Sequence, residues 1–237
     1  MSLTLALTPN PPEAFTPTSV SHLLELSQSL INTIPGRSNP PPPPVGLTIN
    51  WSSAKGDLET KLYKATHNRE PWVARVSVAS DISYNQLLHA LLLEKCETER
   101  TVIMREDDEQ EYVGEERVVG DVKVQDVRKL VHIQAFSPRE FLQTVILHEL
   151  PKSTGKRSFI TISIPRVGNI ENPSNAKGVY AAIDAVREMG DGKVEIITAI
   201  SSDAGGSIPR WVQNIAMSSQ IMADGQKLLK YLREQQR

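Results

Sequence analysis

The sequence predicts an α+β fold in which a curved antiparallel β-sheet wraps around a long C-terminal α-helix. Three observations point there. From Asp203 to Leu232 a Gly205-Gly206 pair opens a helical stretch with no breaker before Tyr231-Leu232. Between Thr101 and Ser201, segments of alternating apolar and polar residues follow one another without long helical crossovers, so they must pair mainly antiparallel. Ahead of them, Ser83-Tyr84-Asn85-Gln86 reads as a capping box for a leucine-rich helix. A sheet built of hairpins needs one apolar face covered, and the terminal helix is the obvious cover.

In order, residues 1–17 hold four prolines and few periodic apolar residues, which predicts an irregular arm. A helix is expected from Thr18, with Leu23, Leu24, Leu26, Leu30, Ile31 and Ile34 facing a core and Pro35-Gly36 ending it. Pro40 to Pro44 favour an extended polyproline spacer, with a protein-docking role as the less favoured reading. The chain therefore divides into an N-terminal arm with one helix and a proline-rich linker, 1–44, and a ligand-binding domain, 45–237. Val45, Leu47 and Ile49 suggest a short strand; residues 52–70 are polar and ambiguous. Trp72 to Ala79 alternates as a strand, with Val73, Arg75, Ser77 and Ala79 on one side. The capped helix runs through Leu87, Leu88, Leu91 and Leu92 and is expected to end near Cys96. Strands follow at Thr101 to Met104, Glu116 to Val119, Val122 to Ala135, Gln143 to Leu150, Ser158 to Ile164 and Lys193 to Ser201. Glu106 to Glu111 reads as a solvated hairpin end, without the ordered glycine of a calcium loop. Tyr180 to Met189 fits either a short helix or a strand. In the terminal helix Ser207 is the expected N-cap and Pro209 lies in the first turn. Its main stripe is Ile208, Trp211, Val212, Ile215, Ser219, Met222, Leu229 and Leu232; a thinner one is Met217, Ile221, Leu228 and Tyr231.

Composition narrows the function. The 237 residues carry a net charge of -2 with scattered basic residues, unlike the basic face of a nucleic-acid binder. A single cysteine, Cys96, excludes an internal disulfide framework and fits a reducing compartment. The start lacks a signal-like apolar core, and no apolar run approaches the ~20 residues that span a bilayer. A soluble, cytoplasmic protein is expected. No nucleotide loop, metalloprotease helix, nucleophile elbow or metal spacing occurs, so no cofactor and no metal are expected.

Local motifs carry a resemblance. Ser137-Pro138-Arg139-Glu140-Phe141 resembles the turn between two central strands in the START (StAR-related lipid-transfer) superfamily of helix-grip proteins. Gly206-Ser207-Ile208-Pro209-Arg210-Trp211 resembles the lead-in to their terminal helix. Trp72 to Ser77, followed by Tyr84 and the leucine helix, is similar to a fungal branch known as a domain of unknown function. The similarity covers roughly residues 70 to 235. It departs at Ser77-Val78-Ala79-Ser80 and Glu94-Lys95-Cys96-Glu97, where that branch often carries histidines.

The resemblance implies a cavity between sheet and terminal helix that encloses a hydrophobic small molecule or lipid. Candidate ligand contacts are Arg75, His132, His148, Trp211, Asn214 and Ser218. Arg75 lies mid-strand among apolar neighbours and needs a partner if buried. The alternative is an enzyme on the same scaffold, a polyketide cyclase, isomerase or dehydratase of secondary metabolism, with His132, His148 and Tyr180 as candidate proton movers.

Overall fold

The computed structural model describes residues 2–37, 47–153 and 155–236. The proline run Pro40–Pro44 lies outside the described residues. Helix α1, Pro17–Asn32, is capped by Thr16, whose side chain accepts from the Ser19 N–H. Strands β1, Ser52–Ala54, β2, Thr60–His67, and β3, Glu70–Ala79, follow. Then come α2, Tyr84–Leu88, with the Ser83/Gln86 capping box formed as expected, and α3, Lys95–Thr98; each runs on into a wide helical turn, His89–Leu93 and Glu99–Ile103. Strands β4, Glu109–Tyr112, β5, Arg117–Val119, β6, Val122–Val131, β7, Arg139–Ser153, β8, Lys156–Pro165, β9, Ala176–Glu188, and β10, Val194–Asp203, lead to α4, Arg210–Glu234. They form one sheet in the order β1-β2-β3-β10-β9-β8-β7-β6-β4, with β5 beside β6. Every neighbour in that order is antiparallel; β7 and β9 also touch in parallel over Arg139–Phe141 and Ala176–Gly178.

Several local expectations are corrected. Leu47 to Asn50 lie in no strand, and the first strand starts at Ser52. Thr101 to Ile103 are helical, because the capped segment breaks only at Glu94 and resumes toward the sheet with Lys95 and Cys96 buried. The Thr101 hydroxyl donates to the Glu97 carbonyl, a helical four-residue reach that outweighs the β-propensity of a short apolar run. Of the two readings left open for Tyr180 to Met189, the strand is the one formed, as far as Glu188. Ser207 does not cap α4: Pro209 is the N-cap and provides no side-chain bond. Gln213 ties the lead-in instead, accepting from the Ala204 N–H at 2.7 Å and donating to the Ile208 carbonyl at 2.8 Å.

Because side chains alternate along each strand, the sheet has two distinct faces. The outer face is apolar from Trp72, Ala74 and Val76 on β3 through Ile197, Ile183 and Ile162 to Ile146 on β7. It shares one cluster with Leu3, Ala14, Val20, Leu23, Leu30, Ile31 and Ile34 of the N-terminal arm and α1. On the same face, Arg37 pairs with buried Glu195 of β10 at 3.2 Å. The inner face has an apolar cluster at each end. One joins Ile196, Val186, Phe159 and Leu147 to Leu87, Leu91, Leu228 and Leu232. The other joins Leu62 and Val73 to Met217 and Ile221 of α4.

α4 buries parts of both expected stripes: Met217, Ile221 and Leu228 of the thinner one and Leu229 and Leu232 of the main one face inward, together with Ser218 and Gly225. Trp211 and Ile215, from the stripe expected to be dominant, are 68% and 60% exposed. Gly225 sets this phase. A Cβ there would lie 1.2 Å from Arg75 Nη1, so the helix rests directly on the guanidinium. Gly225→Ala gains about 1 kcal/mol of helix propensity but displaces the Arg75 head from its bonds. We expect a net loss of about 2 kcal/mol in urea denaturation. In an Arg75→Met background, the same change should turn neutral or stabilising. Equal effects in both backgrounds would refute the contact.

Candidate functional site

Between the two inner apolar clusters the face turns polar. Arg75 of β3 is 6% exposed. Its Nη1 donates to the Ile221 carbonyl at 3.2 Å and its Nη2 to Thr198 Oγ1 at 3.0 Å. Thr198 donates to Asp184 Oδ1 at 2.8 Å. Asp184 Oδ2 lies 2.8 Å from Lys95 Nζ, which reaches Glu99 Oε1 at 2.9 Å. Glu99 Oε2 is 2.6 Å from Lys129 Nζ, and Lys129 donates to the Tyr180 hydroxyl at 2.7 Å. A continuous chain of polar contacts thus crosses from β3 through β10, β9 and α3 to β6, ending back on β9.

Burial would make each charge costly alone; the pairing decides the outcome. Desolvation is the largest influence on Lys95 and pulls its pKa down, but Asp184 and Glu99 together hold it well above its ordinary value. Glu99 is pushed up by desolvation, yet Lys129 and Lys95 bring it down to about 2. Arg75, with no carboxylate in direct contact, is lowered by desolvation against the opposing pull of Asp184 and Asp224. Asp224 of α4 is raised to about 6 by desolvation, against the 2.6 Å hydrogen bond from Gln220. Tyr180 is raised by burial and held as a neutral phenol.

The sequence-derived candidates distribute unevenly around this band. Arg75 and Tyr180 are its two ends. Ser218 is buried on α4 and donates to the Asn214 carbonyl at 3.2 Å. Asn214 lines an open cleft of about 540 Å³ with Met217, Val73, Lys64, Thr66 and Ser52. Trp211 stands largely in solvent. The two histidines lie apart from the band. His148 pairs across the ladder with Ile160, an outer-face residue, so it points away from α4, 3.9 Å from Asp121. His132 follows β6, where its backbone N–H donates to Asp108 Oδ1 at 2.7 Å. His132 Nδ1 lies 3.8 Å from the same carboxylate. Neither histidine joins the band.

Sequence reasoning missed Lys95, Glu99, Lys129, Asp184 and Thr198. Asp184 carried a signal, a carboxylate inside the apolar strand Ala181–Val186. Gly225, inside a long helix, carried another. The Ser137–Phe141 motif is structural: Arg139 is 1% exposed and donates to the Ser137 carbonyl. Glu140, fully buried, accepts from Arg128 Nε at 3.1 Å and the Glu171 N–H at 2.8 Å. Among the described residues, no cluster of three or more His, Cys, Asp or Glu is placed to hold a metal, and no helix is long and apolar enough to cross a membrane.

An open antiparallel sheet closed by a C-terminal helix is a helix-grip fold. Solved structures share it at low sequence identity. Human StAR-related lipid transfer protein 5 matches with a TM-score of 0.65 and 10% identity, over 93% of this chain and 99% of that one. Human STARD10 matches with a TM-score of 0.60 and 13% identity, over 77% and 72%. A STAR-related lipid transfer protein fragment from Xanthomonas axonopodis matches with a TM-score of 0.59 and 14% identity, over 77% and 98%. No curated protein matches the chain. The chain belongs to the family described as "Protein of unknown function (DUF3074)", which matches residues 72–232.

Proposed function

We propose that the protein binds a hydrophobic small molecule or lipid in a chamber between the inner sheet face and α4. The observation that supports this most is the make-up of the inner face, apolar at both ends with a band of largely buried charged and hydroxyl groups between. Glu99 and Lys129 of that band keep 18% and 11% of their side-chain surface open. Apolar clusters on both sides would hold a hydrocarbon body, and the polar band would meet its polar end. Arg75 Nε, buried without a protein partner, is a donor available to that end. Structural relatives named as lipid transfer proteins support the reading at the level of the fold, which alone does not set function.

Native mass spectrometry of the freshly purified full chain should release an apolar compound, with less retained in Arg75→Met. A chain that carries nothing, and binds none of a panel of sterols, fatty acids and phospholipids, would sink the reading. A second reading, a cyclase or dehydratase, is favoured by the Lys129–Tyr180 contact. A buried neutral phenol beside an ammonium is arranged to donate a proton to a developing oxyanion rather than to act as a base. Tyr180→Phe keeps the shape and removes the proton. An unchanged product profile in a producing strain would exclude that role.

A further inference from the structure

The open cleft beside the N-terminal half of α4 differs in charge from the interior band. In the band, each lysine is matched by a carboxylate. The cleft residues include one cation, Lys64, and no carboxylate. Lys64 has no ion-pair partner among the described residues. It stands on β2 directly across from Val73 and Ser52, on the sheet face that α4 covers. Around it the cleft offers hydroxyl and amide groups from Ser52, Thr66, Asn50 and Asn214. Its apolar lining comprises Ala65, Pro71, Trp72, Val73 and Met217, of which Val73 and Met217 also belong to the cluster with Leu62 and Ile221. Behind that cluster lies Arg75, bonded to the Ile221 carbonyl. The cleft is therefore walled from the interior by apolar side chains. Its volume of about 540 Å³ falls within the roughly 300–1,000 Å³ of small-ligand sites.

We propose that this cleft is a second binding site, selective for a small amphipath with a single carboxylate. Lys64 and the neighbouring hydroxyl and amide groups receive the head, and Val73 and Met217 receive the tail. The argument is charge complementarity: a lone cation among neutral donors favours one negative charge, and a second charge would find no partner. The site does not depend on the internal chamber being occupied.

The test is calorimetric titration of the full chain with dodecanoate and with dodecanol, both below their aggregation limits. Amide shifts in 15N-labelled protein locate the ligand. Lys64 is exposed, so Lys64→Gln and Lys64→Glu leave the core untouched. Dodecanoate should bind with shifts at Ser52, Thr66 and Asn214, about fivefold more weakly to Lys64→Gln and weaker again to Lys64→Glu. Dodecanol should be indifferent to either change. Equal dodecanoate affinity in wild type and Lys64→Glu overturns the proposal. So does an absence of dodecanoate binding, or shifts confined to Thr198, Asp184 and Tyr180. That last pattern would leave the internal chamber standing while removing this site.

Discussion

A chain cut back to begin at Gly36 should fail to fold into a soluble monomer, although it keeps the whole family-matched segment. The reason is the outer sheet face. Leu3, Val20, Leu23, Leu30, Ile31 and Ile34 are each no more than 5% exposed, packed against Trp72, Val76, Ile162, Ile183 and Ile197. Each large aliphatic side chain buried this way contributes about 1.5–3 kcal/mol. The six together therefore rival the 5–15 kcal/mol that separates a typical folded domain from its unfolded state. Without them a continuous apolar face is open to water and invites association. The point variant Leu23→Ala, in the full chain, should cost about 2–5 kcal/mol in urea denaturation. A truncated chain that stays monomeric, with cooperative unfolding near the parent midpoint, would show that the arm is dispensable.

Lys95→Met should cost about 3–5 kcal/mol at neutral pH, because it leaves Asp184 and Glu99 buried with only part of their compensation. Lys95 itself is 4% exposed, so water cannot take its place freely. The same network sets an acid limb. Lys129 and Lys95 bring Glu99 down to about 2 in the folded state, from an ordinary value of 4.5. Its contribution is thus complete above pH 4.5 and is lost as pH falls from about 4.5 toward 2. With Lys95 gone, the folded pKa of Glu99 rises and the window narrows from its acid end. Asp224 works in the opposite sense. Its folded pKa is raised to about 6 from 3.8, so its ionised form destabilises the fold above that range, and the cost is relieved as pH falls from about 6 to 3.8. Urea midpoints between pH 2 and 8 read both slopes. A Lys95→Met protein within about 0.5 kcal/mol of the parent, with an unchanged acid limb, would contradict the network.

The fold was legible wherever one period dominated a segment. Trp72 to Ala79 and Ser158 to Ile164 alternate without interruption, and both are strands. The Ser83 capping box and the length of the terminal helix also read correctly. What failed were features settled by distant partners. Thr101 to Ile103 is helical because Lys95 and Cys96 hold its preceding turns on the sheet. In the leading half of α4, Trp211 and Ile215 look like core, whereas the presence of Arg75 beneath Gly225 turns them outward; Leu229 and Leu232 of the same stripe are buried as expected. For the site, Arg75 was visible as a charge stranded among apolar neighbours. Lys95, Asp184, Glu99 and Lys129 are separated by up to 89 residues between bonded partners. The i,i+4 spacing of Lys95 and Glu99 is the one local pattern among them, and nothing local links that pair to Asp184 or Lys129. The histidines drew attention for their chemistry, but strand parity sends His148 to the other face.

The attachment of α4 is lopsided. Its C-terminal half packs Leu228, Leu229 and Leu232 into an inner cluster. Arg233 adds contacts to Asp81 at 2.7 Å and Glu59 at 3.0 Å, and Gln236 bonds the Asp81 carbonyl. Its leading half holds on through Met217 and Ile221, with Trp211 and Ile215 in solvent. Separating the leading half from the sheet uncovers less apolar area than separating the trailing half, and it breaks fewer charged bonds. The helix is a lever clamped at its far end, and the least work of prying is at the end that carries the tryptophan.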